Sequence, residues 1–369
     1  MVDRFGWRRN PRNYWNLARV TPYTVPYMNS AHGGPAVFGI GNPLIDVVIQ
    51  ATDADLQALG LDKGIMHLVS EDRQRAILNH FSDSAPTYRP GGAAPNTLLA
   101  LAGLGVPAVV CGKIGNDQFG RTYNQQVASY GITSRLMMGD GATGSSIILV
   151  TPDGERTMNT HLGMCQDFGV TDLDEELLTR AGYLYFTGYM WDTEIQKSSI
   201  RHALRLAKDA GVTVAFDLAD PFAVERYRAD FLMLLERDVD IVFANGTEAR
   251  ILYGEPDTEL SAQDLALRLG EHTQIAALKV GKDGSLVATK DAAGRAIVTP
   301  VPGRPISAVD STGAGDMYAA GFLAALARGR DPVSAARAAG WLAEEIIQQV
   351  GAQFSVEHIQ RLKTSLEAV

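Results

Sequence analysis

Six short apolar runs alternate with amphipathic helical patterns along this chain, and this alternation constrains its fold more than any other feature. The runs read PAVFGIG, PAVVCGKIG, AGYLYFTGY, VTVAFDLA, VDIVFANG and IAALKVG. Such near-continuous hydrophobic runs are typical of strands that are buried on both faces of a parallel sheet. Helical patterns lie between them, and one late helix is marked at both ends, because Asp331 can cap it, Pro332 suits its first turn and Gly351 can end it. The sequence therefore predicts an α/β fold with a doubly wound, mostly parallel sheet and helices on both faces.

Two segments do not fit that pattern, because their residues alternate like those of half-exposed strands. The first comprises IDVVIQAT and GIMHLV, and the second is SSIILVTPDGERTMNT, in which Pro-Asp-Gly at residues 152–154 predicts a hairpin turn. Strands outside the main sheet suggest a small β-strand lid. We expect one α/β domain at residues 35–369, with lid segments at about 46–70 and 144–161.

The composition argues against several classes of protein. The 369 residues carry a net charge of −9, which argues against a nucleic-acid partner. The two cysteines lie far apart in apolar settings, and none of the seven histidines forms an HxxxH or HxH pair. We therefore expect no disulfide framework and no histidine-built metal site. No apolar run approaches the ~20 residues of a membrane span. These features predict a cytoplasmic protein with no membrane partner.

Residues 1–34 differ from the rest of the chain. Their first half, MVDRFGWRRNPRNYWNLARV, is rich in Arg and Trp, has one acid and lacks the apolar core of a signal peptide. This segment could form a basic surface arm, or it could be an extension that an early start codon adds, with Met28 as the natural start. We favour an N-terminal extension outside the fold.

The stretch AVDSTGAGDMYAAGF at residues 308–322 combines a glycine-rich loop with the start of an apolar helix. Gly313 and Gly315 can adopt backbone angles that aim successive N–H groups at one point, and the helix dipole adds to this anion site. Asp316 would repel a phosphate, yet it fits if it accepts the proton of a hydroxyl that attacks a phosphoryl group held by the loop. A second interpretation is a structural loop in which Asp316 only favours the helix N-terminus.

Five motifs, in this order, resemble those of the ribokinase (PfkB) family of carbohydrate and nucleoside kinases. They are PGGAAPNT at residues 90–97, GKIGNDQFG at 112–120, NGTE at 245–248, VGKDGS at 280–285 and DSTGAGDMY at 310–318. The resemblance covers Phe38 to Gly351, and five ordered motifs are far more specific than any one of them. It implies a ribokinase-like phosphotransferase that acts on an alcohol group, with ATP as phosphate donor and Mg²⁺ as cofactor.

Carried over residue by residue, the resemblance assigns roles around the transferred phosphoryl group. Asp316 would be the base, and Gly313, Ala314 and Gly315 would form the anion hole. Arg156, in the GERT segment of the lid hairpin, would reach the phosphates when the lid closes, because its fork of donors suits phosphate oxygens.

The same resemblance implies nucleotide and metal sites. The residues expected to bind the nucleotide are Asn245, Lys279, Gly281, Gly284 and Thr312. Glu248 and Asn245 would organise the hydrated Mg²⁺ and the phosphates, since Mg²⁺ keeps several of its waters. Asp310, with Thr312, matches family positions that can hold a monovalent cation, which leads us to expect K⁺ there.

On the substrate side, GNPLIDVV resembles the start of the adenosine kinases of that family. Asn42 and Asp46 would bind substrate hydroxyls, with Asp46 accepting hydrogen bonds from a vicinal diol. Gly91, Gly92 and Asn96 would pack against the sugar and bind it.

The base pocket departs from that pattern. In YFTGYMWDT, Tyr189 and Met190 occupy the positions of an aromatic pair that stacks on adenine in adenosine kinases. Tyr189 keeps a ring for stacking, whereas Met190 offers a polarisable but non-planar contact.

We therefore expect ATP-dependent phosphorylation of the 5′-hydroxyl of a nucleoside, with adenosine converted to AMP in purine salvage. A kinase of another nucleoside or of a free sugar (ribose, fructose or a sugar acid) is the alternative, and Met190 leaves room for it. A non-catalytic nucleoside sensor is disfavoured by the intact Asp316 and Glu248. A nicotinamide enzyme is disfavoured because GIGNPL lacks the third glycine of a dinucleotide fingerprint, and no P-loop motif occurs. The sequence leaves a monomer and a homodimer equally open.

Overall fold

The computed structural model describes residues 33–254 and 260–368. Nearly all of the predicted N-terminal extension therefore lies outside the described residues. None of the helices in the described ranges is long and apolar enough to cross a membrane.

The described residues form fourteen strands and twelve α-helices. The strands are β1 (Val37–Ile40), β2 (Leu44–Gln50), β3 (Met66–Leu68), β4 (Thr87–Gly91), β5 (Ala108–Gly115), β6 (Thr133–Gly139), β7 (Ser145–Val150), β8 (Arg156–His161), β9 (Tyr183–Thr187), β10 (Thr213–Asp217), β11 (Ile241–Asn245), β12 (Ile275–Lys279), β13 (Ser285–Lys290) and β14 (Ala296–Val301). The helices are α1 (Asp53–Leu59), α2 (Glu71–His80), α3 (Ala93–Gly103), α4 (Gln118–Ser129), α5 (Glu175–Thr179), α6 (Glu194–Ala210), α7 (Pro221–Arg237), α8 (Gly246–Tyr253), α9 (Ala262–His272), α10 (Ala314–Ala327), α11 (Pro332–Ile346) and α12 (Val356–Ala368).

Nine strands form the large sheet, in the order β14-β13-β12-β11-β10-β9-β1-β5-β6. All neighbours from β12 to β6 pair in parallel, whereas β13 and β14 add an antiparallel edge. The six apolar runs of the sequence form β1, β5, β9, β10, β11 and β12, so the predicted doubly wound α/β fold is confirmed. Because β1 lies between β5 and β9, the direction of winding reverses there, and ligands bind at the carboxyl ends of strands at such a point.

Both faces of the large sheet are buried, which explains why its strands are apolar at nearly every position. In β10, Ala215 belongs to one buried cluster, beneath α3, α10 and α11, while Val214 and Phe216 belong to another, beneath α6, α7 and α9. Successive side chains of a strand point to opposite faces, so an alternating polar residue would be buried on one of them.

A second sheet of five strands, in the order β3-β8-β7-β2-β4, contains both segments that deviate from the main pattern. Strands β7 and β8 pair antiparallel across the turn at residues 152–154, which confirms the predicted hairpin. In β2, Ile45, Val47 and Ile49 pack in the same cluster as Ile77 of α2. The intervening Leu44 and Asp46 line the large cavity described below.

Helix α11 begins as predicted but ends earlier. Asp331 accepts hydrogen bonds from the backbone N–H groups of Val333 and Ser334, and Pro332 is the first helical residue. The helix ends at Ile346 and not at Gly351, because the next carbonyl, that of Ile347, accepts from the backbone N–H groups of residues 309 and 310. The prediction of Gly351 as its end was wrong, and the segment after α11 instead packs against the glycine-rich loop.

Candidate active site

A cavity of about 680 Å³ lies between the two sheets, at the carboxyl ends of the parallel strands. It combines most of the residues that the sequence predicted for the site. Those that line it are Asn42, Asp46, Gly92, Asn96, Tyr189, Asn245, Glu248, Lys279, Gly281, Gly284, Thr312, Gly313, Ala314, Gly315 and Asp316. Four others do not line it: Gly91, Arg156, Met190 and Asp310.

The glycine-rich loop leads into α10 without any side chain to cap the helix. Gly313 has φ 78°, a left-handed conformation that glycine adopts without strain, and a Cβ there would lie 2.6 Å from Ala352 Cα. Among the described residues, no acceptor lies within hydrogen-bonding range of the backbone N–H groups of Gly315 and Asp316. Uncapped N–H groups at the positive end of a fourteen-residue helix can bind an anion.

Asp316 lies in the first turn of α10 and is held from α3. Asn96 Nδ2 donates to Asp316 Oδ2 at 2.8 Å, and Thr97 Oγ1 donates to the Asp316 backbone carbonyl at 3.1 Å. No described residue donates to Asp316 Oδ1. Burial raises the pKa of Asp316 to about 7, although the Asn96 hydrogen bond acts in the opposite direction. A carboxylate with a pKa near neutrality and one unoccupied oxygen is suited to accept a proton.

Asp46 of β2 is the second carboxylate of the cavity. No donor among the described residues is hydrogen-bonded to its side chain, and Gly91 lies so close that a Cβ there would be 2.5 Å from Asp46 Cγ. Burial raises the pKa of Asp46 to about 7, although the guanidinium groups of Arg156 and Arg89 lower it. A buried carboxylate without donors is costly unless a ligand supplies them.

Asn42 follows β1, where the sequence predicts substrate-binding residues, and is hydrogen-bonded to the turn after β9. Its Nδ2 donates to the Tyr189 carbonyl at 3.1 Å, and its Oδ1 accepts from Gln196 Nε2 at 2.9 Å. The Tyr189 hydroxyl donates to Asp220 Oδ2 at 2.9 Å. Gly92 has φ 98°, and a Cβ there would lie 2.0 Å from the Asn42 carbonyl oxygen. These contacts fix the backbone around the predicted substrate residues.

Lys279, at the end of β12, is a buried cation beside the anion hole. Its Nζ lies 3.3 Å from Asp217 Oδ2 and 3.3 Å from the place of a Cβ on Gly315. Burial alone would lower the pKa of Lys279, but the carboxylates of Asp217 and Glu248 outweigh it and raise the pKa. The ammonium group therefore stays charged next to the site where we expect a phosphoryl group.

Glu248 and Asn245 form a capping box at the start of α8. Asn245 donates to both Glu248 oxygens, from its backbone N at 2.7 Å and from Nδ2 at 2.6 Å. Burial raises the pKa of Glu248, and the Lys279 ammonium opposes this. Among the described residues no three acidic, histidine or cysteine side chains form a metal cluster. This donor set fits a Mg²⁺ ion whose ligands are mainly phosphate oxygens and waters, with Glu248 and Asn245 holding those waters.

Arg156 lies at the start of β8 and pairs with Asp310 just before the glycine-rich loop. Its Nη1 lies 2.5 Å from Asp310 Oδ2, which also accepts from the Gly351 backbone N, while Oδ1 accepts from the backbone N and Oγ1 of Thr312. Four donors occupy the lone pairs of this carboxylate, so these residues do not fit a K⁺ ion at Asp310 in this arrangement.

The structure does not bring Met190 to the cavity. Met190 lies in a 3₁₀ turn at Gly188–Trp191 and is fully buried in the apolar cluster beneath α6 and α7, whereas its neighbour Tyr189 faces the cavity. Consecutive side chains in so tight a turn point in different directions. Tyr189 alone of the two predicted base-stacking residues is in a position to contact a substrate.

Two polar residues that contact predicted site residues were not predicted from the sequence. Asp217 is 3% exposed and ends β10, where the run VTVAFD closes on an acid, so its position after a buried strand was a usable signal. Gln353 donates from Nε2 to Asn96 Oδ1 at 2.6 Å, across 257 positions of the chain, and no local pattern indicates such a contact.

An anion hole, a buried lysine and a carboxylate that can accept a proton define a phosphotransferase that acts on an alcohol group. The chain belongs to the pfkB family of carbohydrate kinases, whose model matches residues 66–359. Its fold is ribokinase-like: it superposes on the adenosine kinase of Sinorhizobium meliloti with a TM-score of 0.80 and 33% identity, covering 91% of this chain and all of the other.

Curated relatives agree on the chemistry but differ in substrate. The adenosine kinase of Dictyostelium discoideum is 28% identical over 85% of this chain and 94% of its own. The ATP-dependent ribose-1-phosphate kinase of Halopiger xanaduensis is 31% identical over 63% of this chain and 72% of its own. The protein is thus a nucleoside or sugar kinase.

Proposed function

We propose that the protein transfers the γ-phosphoryl group of ATP to the 5′-hydroxyl of adenosine and so makes AMP, a step of purine salvage. One observation carries the choice of a nucleoside over a free sugar. The small sheet lines the cavity with apolar side chains, namely Leu44, Met66, Ile148 and Met158, and Tyr189 lines it from the turn after β9. A flat base fits between such surfaces, whereas a free sugar would leave them without an apolar partner.

The ribose would lie between the carboxylates of Asp46 and Asp316. Asp46 accepts hydrogen bonds from the vicinal diol, and these donors stabilise its charge. The 5′-oxygen then points at Asp316 Oδ1. As this oxygen bonds to the γ-phosphorus, its proton passes to Asp316, the bond from the γ-phosphorus to the β,γ-bridging oxygen breaks, and ADP leaves. Similarity to the S. meliloti adenosine kinase supports adenine as the base.

The phosphate end of the cavity holds the groups that would bind the triphosphate. The backbone N–H groups after Gly313 and the Lys279 ammonium act on the phosphoryl oxygens. Bound Mg²⁺ would neutralise phosphate charge there, held through water by Glu248 and Asn245. Arg156 Nε is buried with no hydrogen-bond partner in the described structure, so this guanidinium has a donor left for a phosphate. Hairpin β7–β8, which carries Arg156, acts as the lid that excludes water.

The first test is the release of ADP from MgATP with adenosine, inosine, guanosine, cytidine, ribose, ribose 1-phosphate and fructose. We expect turnover with adenosine to exceed that with each free sugar, because only a nucleoside fills the apolar end of the cavity. Turnover confined to sugars would contradict the nucleoside assignment while leaving the chemistry at Asp316 intact. Adenosine binding without ADP release from any compound would instead support a nucleoside sensor.

Replacing Lys279 with methionine is expected to lower kcat about 10²-fold, the usual effect of removing one donor that stabilises transition-state charge. The KM for adenosine should change little, because Lys279 lies at the phosphate end. Lys208→Met, at an exposed position of α6, is the matched control. Thermal melting of both variants checks the fold, since Asp217 loses its buried partner. A larger effect on the KM for adenosine than on kcat would refute the role given to Lys279.

A further inference from the structure

Asp316 is connected to the C-terminal part of the chain through two successive hydrogen bonds. Gln353 Nε2 donates to Asn96 Oδ1 at 2.6 Å, and Asn96 Nδ2 donates to Asp316 Oδ2 at 2.8 Å. Asn96 is 5% exposed and lies in the first turn of α3. Each end of its amide thus makes one hydrogen bond within the protein, to Asp316 and to Gln353.

The ionised Asp316 carboxylate sets the direction of these bonds. An ionised carboxylate only accepts hydrogen bonds, so Asn96 must turn its NH₂ group toward Asp316. An asparagine amide can nevertheless flip, and its oxygen would then face the carboxyl group and accept from the protonated acid. Because Gln353 donates to Asn96 Oδ1, it opposes that flip.

Gln353 is itself held in place by the segment after α11. Gln349 Nε2 donates to the backbone carbonyl of Gln353 at 2.9 Å, and the Gly351 backbone N donates to Asp310 Oδ2 at 2.8 Å. Ala352 packs so closely beneath the anion-hole loop that only glycine fits at position 313. The same short segment therefore supports the loop that would hold the phosphoryl group and the side chain that orients Asn96.

We propose that Gln353 is a positioning residue for the base Asp316. By fixing the Asn96 amide it directs Nδ2 to Asp316 Oδ2, which favours the ionised carboxylate and leaves Oδ1 for the hydroxyl of the substrate. This inference rests on the proposed function, in which Asp316 accepts the proton.

The other charged groups around Asp316 come from different elements. Asp217 of β10 and Asp46 of β2 raise its pKa, and Lys279 of β12 lowers it. The buried hydroxyls of Tyr185 and Tyr189 also lie within its electrostatic reach. Helix α3 and residues 349–354 bring no titratable side chain. Replacing Gln353 by an uncharged residue therefore changes the hydrogen bonding of Asp316 and none of these charges.

The test compares the pH profile of kcat for the wild type and Gln353→Met, which keeps side-chain length but removes the donor. We expect kcat to fall about tenfold and the acid limb to move up by about half a pH unit to one unit, as for the loss of one hydrogen bond to a carboxylate. The KM for adenosine should stay within about twofold, since Gln353 touches no substrate. Gln348→Met is the matched control, since among the described residues that exposed side chain is hydrogen-bonded only to the Glu344 backbone carbonyl.

A double-mutant cycle with Asn96→Ala separates positioning from a general loss of packing. If Gln353 acts through Asn96, adding Gln353→Met to Asn96→Ala has almost no further effect on kcat. Additive effects, or an unchanged acid limb in Gln353→Met, would overturn the proposal. If Gln353→Met melts below the assay temperature, Gln353→Leu is measured in the same way. Additive effects or an unchanged acid limb in that variant would likewise overturn the proposal.

Asp316→Asn distinguishes failure of this inference from failure of the proposed function. If that variant keeps near-normal turnover, Asp316 is not the base, and both assignments fall. If it is inactive while Gln353→Met keeps the wild-type acid limb and kcat, only the role of Gln353 is rejected.

Discussion

Asp316→Asn is expected to lower kcat by about 10³-fold, within the range found when a general base is removed. Asparagine keeps the size and the hydrogen-bonding oxygen of the side chain but cannot take up a proton. In the proposed binding mode the diol would lie at Asp46 and the adenine at the apolar end of the cavity, so substrate binding should be nearly unchanged. Rapid-mix measurements of the first turnover, with adenosine affinity measured by calorimetry, check both statements.

Asp331→Asn is the matched control for this variant, because it makes the same chemical change at the N-cap of α11. Asparagine caps a helix about as well as aspartate, so this control should keep both its melting temperature and its turnover. In the wild type, kcat should decline as the pH falls below about 7, since the raised pKa of Asp316 means that acid protonates the base. Near-normal turnover of Asp316→Asn would reject the assignment of the base.

The fold could be predicted from the sequence because each strand and helix of a doubly wound sheet has its own local sequence pattern. A strand such as β12 (Ile275–Lys279) must be apolar at nearly every position, and the helix that follows must begin and end with recognisable caps. The features that the sequence did not predict depend on tertiary contacts. Helix α11 stops at Ile346 because backbone N–H groups of the loop before the anion hole donate to the next carbonyl, that of Ile347. Helix propensities do not predict such a contact.

The same distinction between local patterns and tertiary contacts applies to the candidate site. Residues near the start of a strand or helix, such as Asp46 in β2, Glu248 in α8 and Asp316 in α10, could be found from motifs because their positions follow from these elements. The pair Arg156–Asp310 joins residues 154 positions apart, and its formation fills the carboxylate that we expected to hold K⁺. Met190 was misplaced because a single tight turn decides which of two adjacent side chains faces the cavity.

The buried charges of the phosphate end explain why it should bind a metal nucleotide. Asp217, Glu248 and Asp316 all act on the Lys279 ammonium, so this group of buried side chains has more acids than bases. Such an excess raises the pKa of carboxyl groups rather than leaving them all ionised. Bound Mg²⁺ would favour the ionised forms, which is the state that Asp316 needs to act as a base.

Asp46→Asn is expected to raise the KM for adenosine by about 10²-fold, because hydrogen bonds to a charged acceptor contribute about 1.5–3 kcal/mol each. The loss of affinity should depend on whether the ligand has the vicinal diol and not on its nucleobase. Asp46 has no donor among the described residues, so the substrate supplies the groups that stabilise its charge. Wild-type protein should thus prefer adenosine strongly over 2′,3′-dideoxyadenosine, and Asp46→Asn, which keeps only an uncharged acceptor, should discriminate between the two much less.

The pH dependence of binding provides an independent readout of the same residue. The raised pKa of Asp46, about 7, means that acid protonates it in the absence of substrate, so adenosine affinity should decrease as the pH falls below that value. Dideoxyadenosine serves as the matched control, since it keeps the base and the 5′-hydroxyl that faces Asp316. Calorimetric titration of both ligands against wild-type protein and Asp46→Asn should show a pH-dependent difference between them in the wild type alone. An Asp46→Asn variant that discriminates against the dideoxy compound as strongly as the wild type does would move the diol site elsewhere in the cavity.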